Sequence, residues 1–167
     1  MRAMKNILKV SGKWNGRRLA GALALTFAAG AVGGLFAMHA GDVYSSLLLP
    51  PFAPPASLFS PVWTVLYLLA GLAFYRILLL PPSAARRKAL FYYALQLIFN
   101  AVWPLLFFTL GLRLAALLDL VILLVYTALA ARNFHRLDKA AGLLMLPYVL
   151  WLVFAVLLNG GVVWLNG

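Results

Sequence analysis

The chain contains no cysteine, only three acidic residues and only two histidines among its 167 residues. Each scarcity removes a class of chemistry. Without cysteine there are no disulfides, no thiolate metal sites and no cysteine nucleophiles. His39 and His135 fall at opposite ends of the predicted membrane segments, without the paired histidines or carboxylates that a zinc site needs. No lysine lies inside an apolar run to form a Schiff base, and Asp119 is the only carboxylate in one, so a multi-step proton relay has too few stations. Ser45, Ser46, Ser57, Ser60 and Ser83 sit in or beside connectors, and no GxSxG elbow surrounds any of them. The sequence therefore offers no catalytic residue, no metal ligand and no requirement for a cofactor.

What is abundant is apolar. Hydrophobic residues make up 65% of the chain and charged residues 10%, and the mean hydropathy is +0.98. A soluble domain of this size cannot hide that much apolar surface, so lipid must serve as the outer solvent. Uncharged runs near the length of a bilayer span predict five helices, at about residues 19–38, 62–80, 89–108, 112–131 and 140–164. The expected fold is an all-α membrane protein, a five-transmembrane-helix bundle over residues 19–167, preceded by a basic segment over residues 1–18. Pro147 is expected to disturb the first turns of the fifth helix.

Of the 14 basic residues, all but Arg113 fall on one side of these spans. By the positive-inside rule the N-terminus is then cytoplasmic and the C-terminus outside, with a bacterial cytoplasmic membrane as the expected address. Arg76, near the cytoplasmic end of its span, is expected to snorkel. The basic residues read as topology signals that attract membrane lipid, with no nucleic acid as partner.

The outer connector 39–61 is long and carries five prolines, Pro50, Pro51, Pro54, Pro55 and Pro61. Long loops in compact proteins are commonly functional, and the stiff segment LLLPPFAPP suits a lid over the bundle; the alternative is a plain interfacial loop. In the third span Gln96, Asn100, Trp103 and Phe107 share a face. In the fifth, Tyr148, Trp151, Ala155, Asn159, Val162 and Asn166 do the same. Amides at membrane depth must face protein or cavity, and Pro104 leaves the carbonyl of Asn100 without its helical donor. Two such stripes can enclose a pocket, or they can be interhelical glue. In the second span Trp63, Tyr67 and Gly71 recur at i, i+4 and i+8 and can add to such a pocket. Trp63, like Trp164, also lies near the outer boundary and reads alternatively as an interfacial belt residue; Trp14 reads as an interfacial anchor and Asp119 as the salt-bridge partner of Arg113. The cluster Gly30, Gly33 and Gly34 suits either a homodimer contact or packing within the bundle.

Three runs carry a family resemblance: FSPVWTVLYLLAGLA at residues 59–73, ALQLIFNAVWPLLFF at 94–108, and PYVLWLVFAVLLN at 147–159. In order, spacing and span count they resemble the TspO/MBR family, the tryptophan-rich sensory proteins related to the mitochondrial translocator protein. The resemblance implies a five-helix bundle, often dimeric, with a pocket near the outer loop for porphyrins, sterols and benzodiazepine-type ligands. It further implies a ligand site of Tyr67, Asn100, Trp103, Trp151, Phe154, Ala155 and Leu158, beneath a lid containing Tyr44, Pro50, Pro51, Phe52, Pro54 and Pro55. Ala155 matches a position at which side-chain size controls ligand affinity.

The departures matter too. Where family members commonly carry loop tryptophans, this chain has Val43 and Ala56-Ser57. A light-driven porphyrin breakdown that needs a loop indole is therefore not expected. The C-terminal steroid-recognition pattern has no Tyr or basic residue here, and the loose match at Leu124, Tyr126 and Arg132 is weak support for sterol contact. The expected function is a membrane receptor, sensor or carrier for porphyrins and similar flat hydrophobic ligands. The alternatives are a photo-oxidative porphyrin-degrading enzyme and a ligand-free assembly or regulatory protein.

Overall fold

The computed structural model describes residues 7–167; Arg2 and Lys5 of the basic segment lie outside the described residues. Five helices are long and apolar enough to cross a membrane. They are α1 (Gly16–Phe36), α3 (Phe59–Leu79), α4 (Ala84–Pro104), α5 (Arg113–Leu137) and α6 (Lys139–Asn166), and a short helix, α2 (Ala40–Ser46), lies in the long loop. The chain is an integral, multi-pass membrane protein. Large apolar side chains such as Ile98, Leu118, Leu150 and Leu157 point out of the bundle, which only a lipid surround makes favourable.

Helices α1, α4 and α6 begin earlier than the apolar runs because polar caps set their starts. Asn15 accepts the Arg18 N–H at the start of α1, Ser83 accepts the Arg86 N–H at α4, and Asp138 accepts the Ala141 N–H at α6. At the other end of α3, Arg86 and Arg18 donate to the C-terminal carbonyls of Ile77 and Leu78. Helix α6 runs through Pro147. Pro104 has a larger effect: α4 gives way after it to a π-helical turn, Leu105–Thr109, in which the Leu110 N–H bonds to Leu105 O at 2.9 Å. A residue that cannot donate to Asn100 O loosens the ladder, and the wider turn absorbs the mismatch.

The spans close into a ring in the order α1, α3, α6, α5, α4 and back to α1. The half of the ring nearest the basic residues is solid, filled by Ala73, Ile77, Tyr93, Phe134, Met145 and Leu152. Gly142 permits the tight α5–α6 corner, since a Cβ there would fall 2.5 Å from the Cα of His135. Gly30 and Gly33 also pack inside the bundle: Gly30 lies against the Tyr67 ring, and Gly33 against Pro104.

Arg76 does not snorkel. It is 7% exposed, with Nε and Nη2 donating to the two carboxylate oxygens of Asp138 at 2.9 and 2.8 Å and Nη1 donating to the carbonyls of Ile7 and Lys9. Beside it the Tyr75 hydroxyl donates to Leu8 O and accepts the Asn15 N–H. A bidentate partner and chain carbonyls within reach satisfy the guanidinium better than a path to the headgroups. The expected Arg113–Asp119 pair is also absent. Six residues apart on one helix, the two lie roughly 120° apart around it and about 9 Å along it, and Arg113 Nε and Asp119 Oδ2 are each buried without a partner.

Candidate functional site

The loop-side half of the ring is hollow. A cavity of about 560 Å³ is bounded by α1, α3, α4, α5, α6 and the start of the long loop. Its floor is a hydrogen-bonded chain across three helices. The Tyr67 hydroxyl donates to Asn100 Oδ1 at 2.6 Å, Asn100 Nδ2 donates to the Tyr148 hydroxyl at 2.6 Å, and that hydroxyl donates to Gln96 Oε1 at 3.1 Å. The amides of the third span and the tyrosines opposite are thus linked, with Gln96 Nε2 alone of these amide atoms buried without a partner, and the chain fixes the depth at which the hollow ends.

The walls are aromatic. Trp63 leans on Tyr67 with ring centroids 5.5 Å apart and meets Tyr148 edge-on at 5.9 Å. Trp103 stacks on Phe107 at 5.2 Å, and Phe59 meets Trp151 edge-on at 6.0 Å. Ala155 and Leu158 line the α6 side one and two turns above Trp151. Asn159 is 2% exposed, and neither atom of its amide has a partner, nor does Trp103 Nε1. The reading of Asn159 as interhelical glue therefore does not hold.

Of the residues expected in a ligand site, Tyr67, Asn100, Trp103, Trp151, Ala155 and Leu158 border this one cavity. Phe154 stands apart: its ring packs against Trp151 and the loop residue Phe52, so it supports the roof. Among the lid residues only Tyr44 borders the cavity; its hydroxyl donates to Pro54 O at 2.7 Å, and burial raises its pKa. Pro50 packs against Gly161 on α6, while Pro51 and Pro55 are exposed. Trp63 is a wall residue, not a belt residue, and its spacing of four from Tyr67 is the signal that points inward. Phe59, at the edge of its span, carried no such signal. Trp164 is 88% exposed and Trp14 57%, as interfacial residues are.

With this geometry in place, comparison with known proteins is decisive for ancestry. The TspO/MBR family model matches residues 22–165. The chain belongs to the TspO/MBR family. It is 34% identical over 154 residues to the tryptophan-rich protein TspO of Chlorobaculum tepidum, covering 89% of this chain and 95% of that one. It is 36% identical over 116 residues to the tryptophan-rich sensory protein of Cereibacter sphaeroides, covering 70% and 72%. It is also 36% identical over 118 residues to the translocator protein of Bos taurus, covering 70% of each. The TspO/MBR match begins within α1, so the basic segment whose carbonyls Arg76 holds precedes it.

Proposed function

We propose that this TspO/MBR protein is a receptor, sensor or carrier that binds a porphyrin or a similar flat hydrophobic molecule in the loop-side cavity. The observation that carries the reading is the wall itself: three tryptophans, Trp63, Trp103 and Trp151, border one cavity of about 560 Å³, within the range of about 300–1,000 Å³ typical of small-molecule sites. Indoles offer a large apolar face for stacking, and Ala155 beside Trp151 leaves room for a ring system. Among the described residues no histidine or methionine borders the cavity, so binding is expected not to depend on a metal in the macrocycle. The lysine and arginine distribution supports a cytoplasmic N-terminus and an outward-facing loop.

The test is a titration in the dark, following tryptophan quenching by free-base and iron protoporphyrin, with a Trp151→Phe variant in parallel. Saturable quenching by both forms, weakened in the variant, is expected. Quenching that does not saturate and is identical in the variant is partitioning into the micelle and would refute the reading; a strong preference for the iron form would refute metal independence.

A further inference from the structure

The loop that roofs the cavity is tied to α6 by hydrogen bonds, and its Leu47 is buried in a cluster with Phe107, Ala116 and Val162. The Asn166 side chain accepts the Leu48 N–H at 3.0 Å and donates to the Leu48 carbonyl at 2.9 Å. The buried Pro50 ring lies so close to Gly161 that a Cβ there would fall within 3.1 Å of it. Phe52 packs edge-on to Phe154, and Phe59 joins Tyr44 to Trp151. The axial mouth is therefore covered by a segment fastened at successive points.

The edge between α1 and α3 is built the opposite way. In the solid half and up to the cavity floor these helices are pressed together, Gly71 against Leu23 and Gly30 against the Tyr67 ring. One turn beyond Gly30, Gly33 faces α4 and meets Pro104, and Gly34 faces open space. Ala31 and Gly34 on α1, Ser60 and Thr64 on α3, and Gly41 and Ala56 at the two ends of the loop above them border the cavity, and all six are also exposed on the surface of the chain. A residue that is both wall and surface marks an opening. At about 1.5 Å per residue, Ala31 and Thr64 lie roughly 7–8 Å inside the ends of their helices, at the depth of the hydrocarbon. Small side chains frame the gap, and its polar groups are quiet: the Thr64 hydroxyl donates to Ser60 O at 2.9 Å. Phe27 and Tyr67, edge-on at 6.0 Å, close its lower margin.

We propose that this gap is a side portal through which the cavity exchanges its ligand with the lipid. A flat hydrophobic molecule dissolved in the loop-side leaflet enters between α1 and α3, beneath a roof that stays closed. The inference rests on the binding reading above. An apolar ligand in a bilayer then never has to cross water to reach its site.

The absence of native cysteine makes the test specific. Gly34→Cys protein in lipid nanodiscs is modified with a methyl or a bulky aromatic methanethiosulfonate and mixed with vesicles loaded with free-base protoporphyrin, and stopped-flow quenching reads the rates. The bulky adduct is expected to slow both association and dissociation by about tenfold, because it blocks the route. Reduction restores the rates, the methyl adduct has little effect, and the same bulky adduct at Leu118→Cys, on the lipid face of α5, has none. Saturable binding with unaltered rates at Gly34→Cys overturns the portal alone, as does slowing by an adduct at Leu48→Cys in its place, which identifies the axial route. No saturable binding by the unmodified protein overturns the binding reading and the portal with it.

Discussion

Gly30 and Gly34 stand one turn apart on α1, yet alanine is expected to move stability in opposite directions at the two sites. In the interior of a helix, glycine to alanine is worth about 0.8–1 kcal/mol in favour of the folded state. At Gly34 a Cβ would meet nothing within 4 Å, so the full gain is expected. At Gly30 the Cβ would fall 2.4 Å from Cε2 of Tyr67 and 2.8 Å from Cζ. The ring must retreat by about 1 Å to reach ordinary contact. It is not free to do so, because its hydroxyl is held by Asn100 at 2.6 Å. Overpacking of this kind costs about 1–3 kcal/mol, and a stretched interhelical hydrogen bond adds about 0.6 kcal/mol. The net expectation is a loss of about 0.6–2.8 kcal/mol for Gly30→Ala and a gain approaching ~1 kcal/mol for Gly34→Ala. Thermal unfolding followed by circular dichroism would read these as shifts of about 2–4 °C per kcal/mol. In a Tyr67→Ala background, where the obstructing ring is gone, Gly30→Ala should become stabilising. A stabilising Gly30→Ala in the otherwise native chain would refute the packing argument, and with it the account of how α1 holds Tyr67 at the cavity floor.

Three further outcomes follow from contacts elsewhere. Asn100→Leu breaks the chain from Tyr67 to Tyr148 and is expected to cost about 1–3 kcal/mol, at about 0.6–1.7 kcal/mol per interhelical bond; unchanged chemical or thermal stability would contradict it. Burial raises the Asp138 carboxyl, but hydrogen bonds from Arg76 and the Ala141 N–H, together with the guanidinium charge, outweigh it and hold its pKa below the usual carboxylate range. Its stabilising contribution is therefore complete above the unfolded pKa and is lost as pH falls through the folded one, so a pH series should show an acid-side loss of stability that Asp138→Asn removes. An Asp138→Asn protein with the same acid-side loss would show that another group is responsible. Asn166→Ala frees the roof at Leu48 and should raise hydrogen–deuterium exchange in residues 47–55 while leaving α5 protected; equal exchange in both proteins would mean that the roof is held elsewhere.

The five spans were legible because hydropathy over some 20 residues records burial in lipid whatever the helices pack against. The stripe from Tyr148 to Asn166 was legible for a related reason: polar and aromatic residues at helical spacing have only one interior to face. The ends of the helices were less so. α4 starts at Ala84 because Ser83 caps it, and α5 runs on to Leu137 through basic residues that an apolar-run criterion excludes. The helix Ala40–Ser46, inside a loop read as irregular, has no apolar period long enough to announce it. Arg76 and Asp138 meet across 62 residues, a pairing that tertiary packing alone decides. Trp63 was legible in part: its spacing of four from Tyr67 points inward while its place near the span end points to the interface, and the rotation of α3 decides for the cavity wall.

The most direct measurement of the central claim is the stoichiometry of protoporphyrin bound in the dark to the wild-type protein and to Ala155→Trp, both in nanodiscs. The substituted indole would occupy the space beside Trp151. Saturation at about one porphyrin per chain is expected for the wild type, and no saturable binding by a variant whose thermal unfolding shows it still folded. Equal binding by the two proteins would place the ligand outside the cavity and contradict the account.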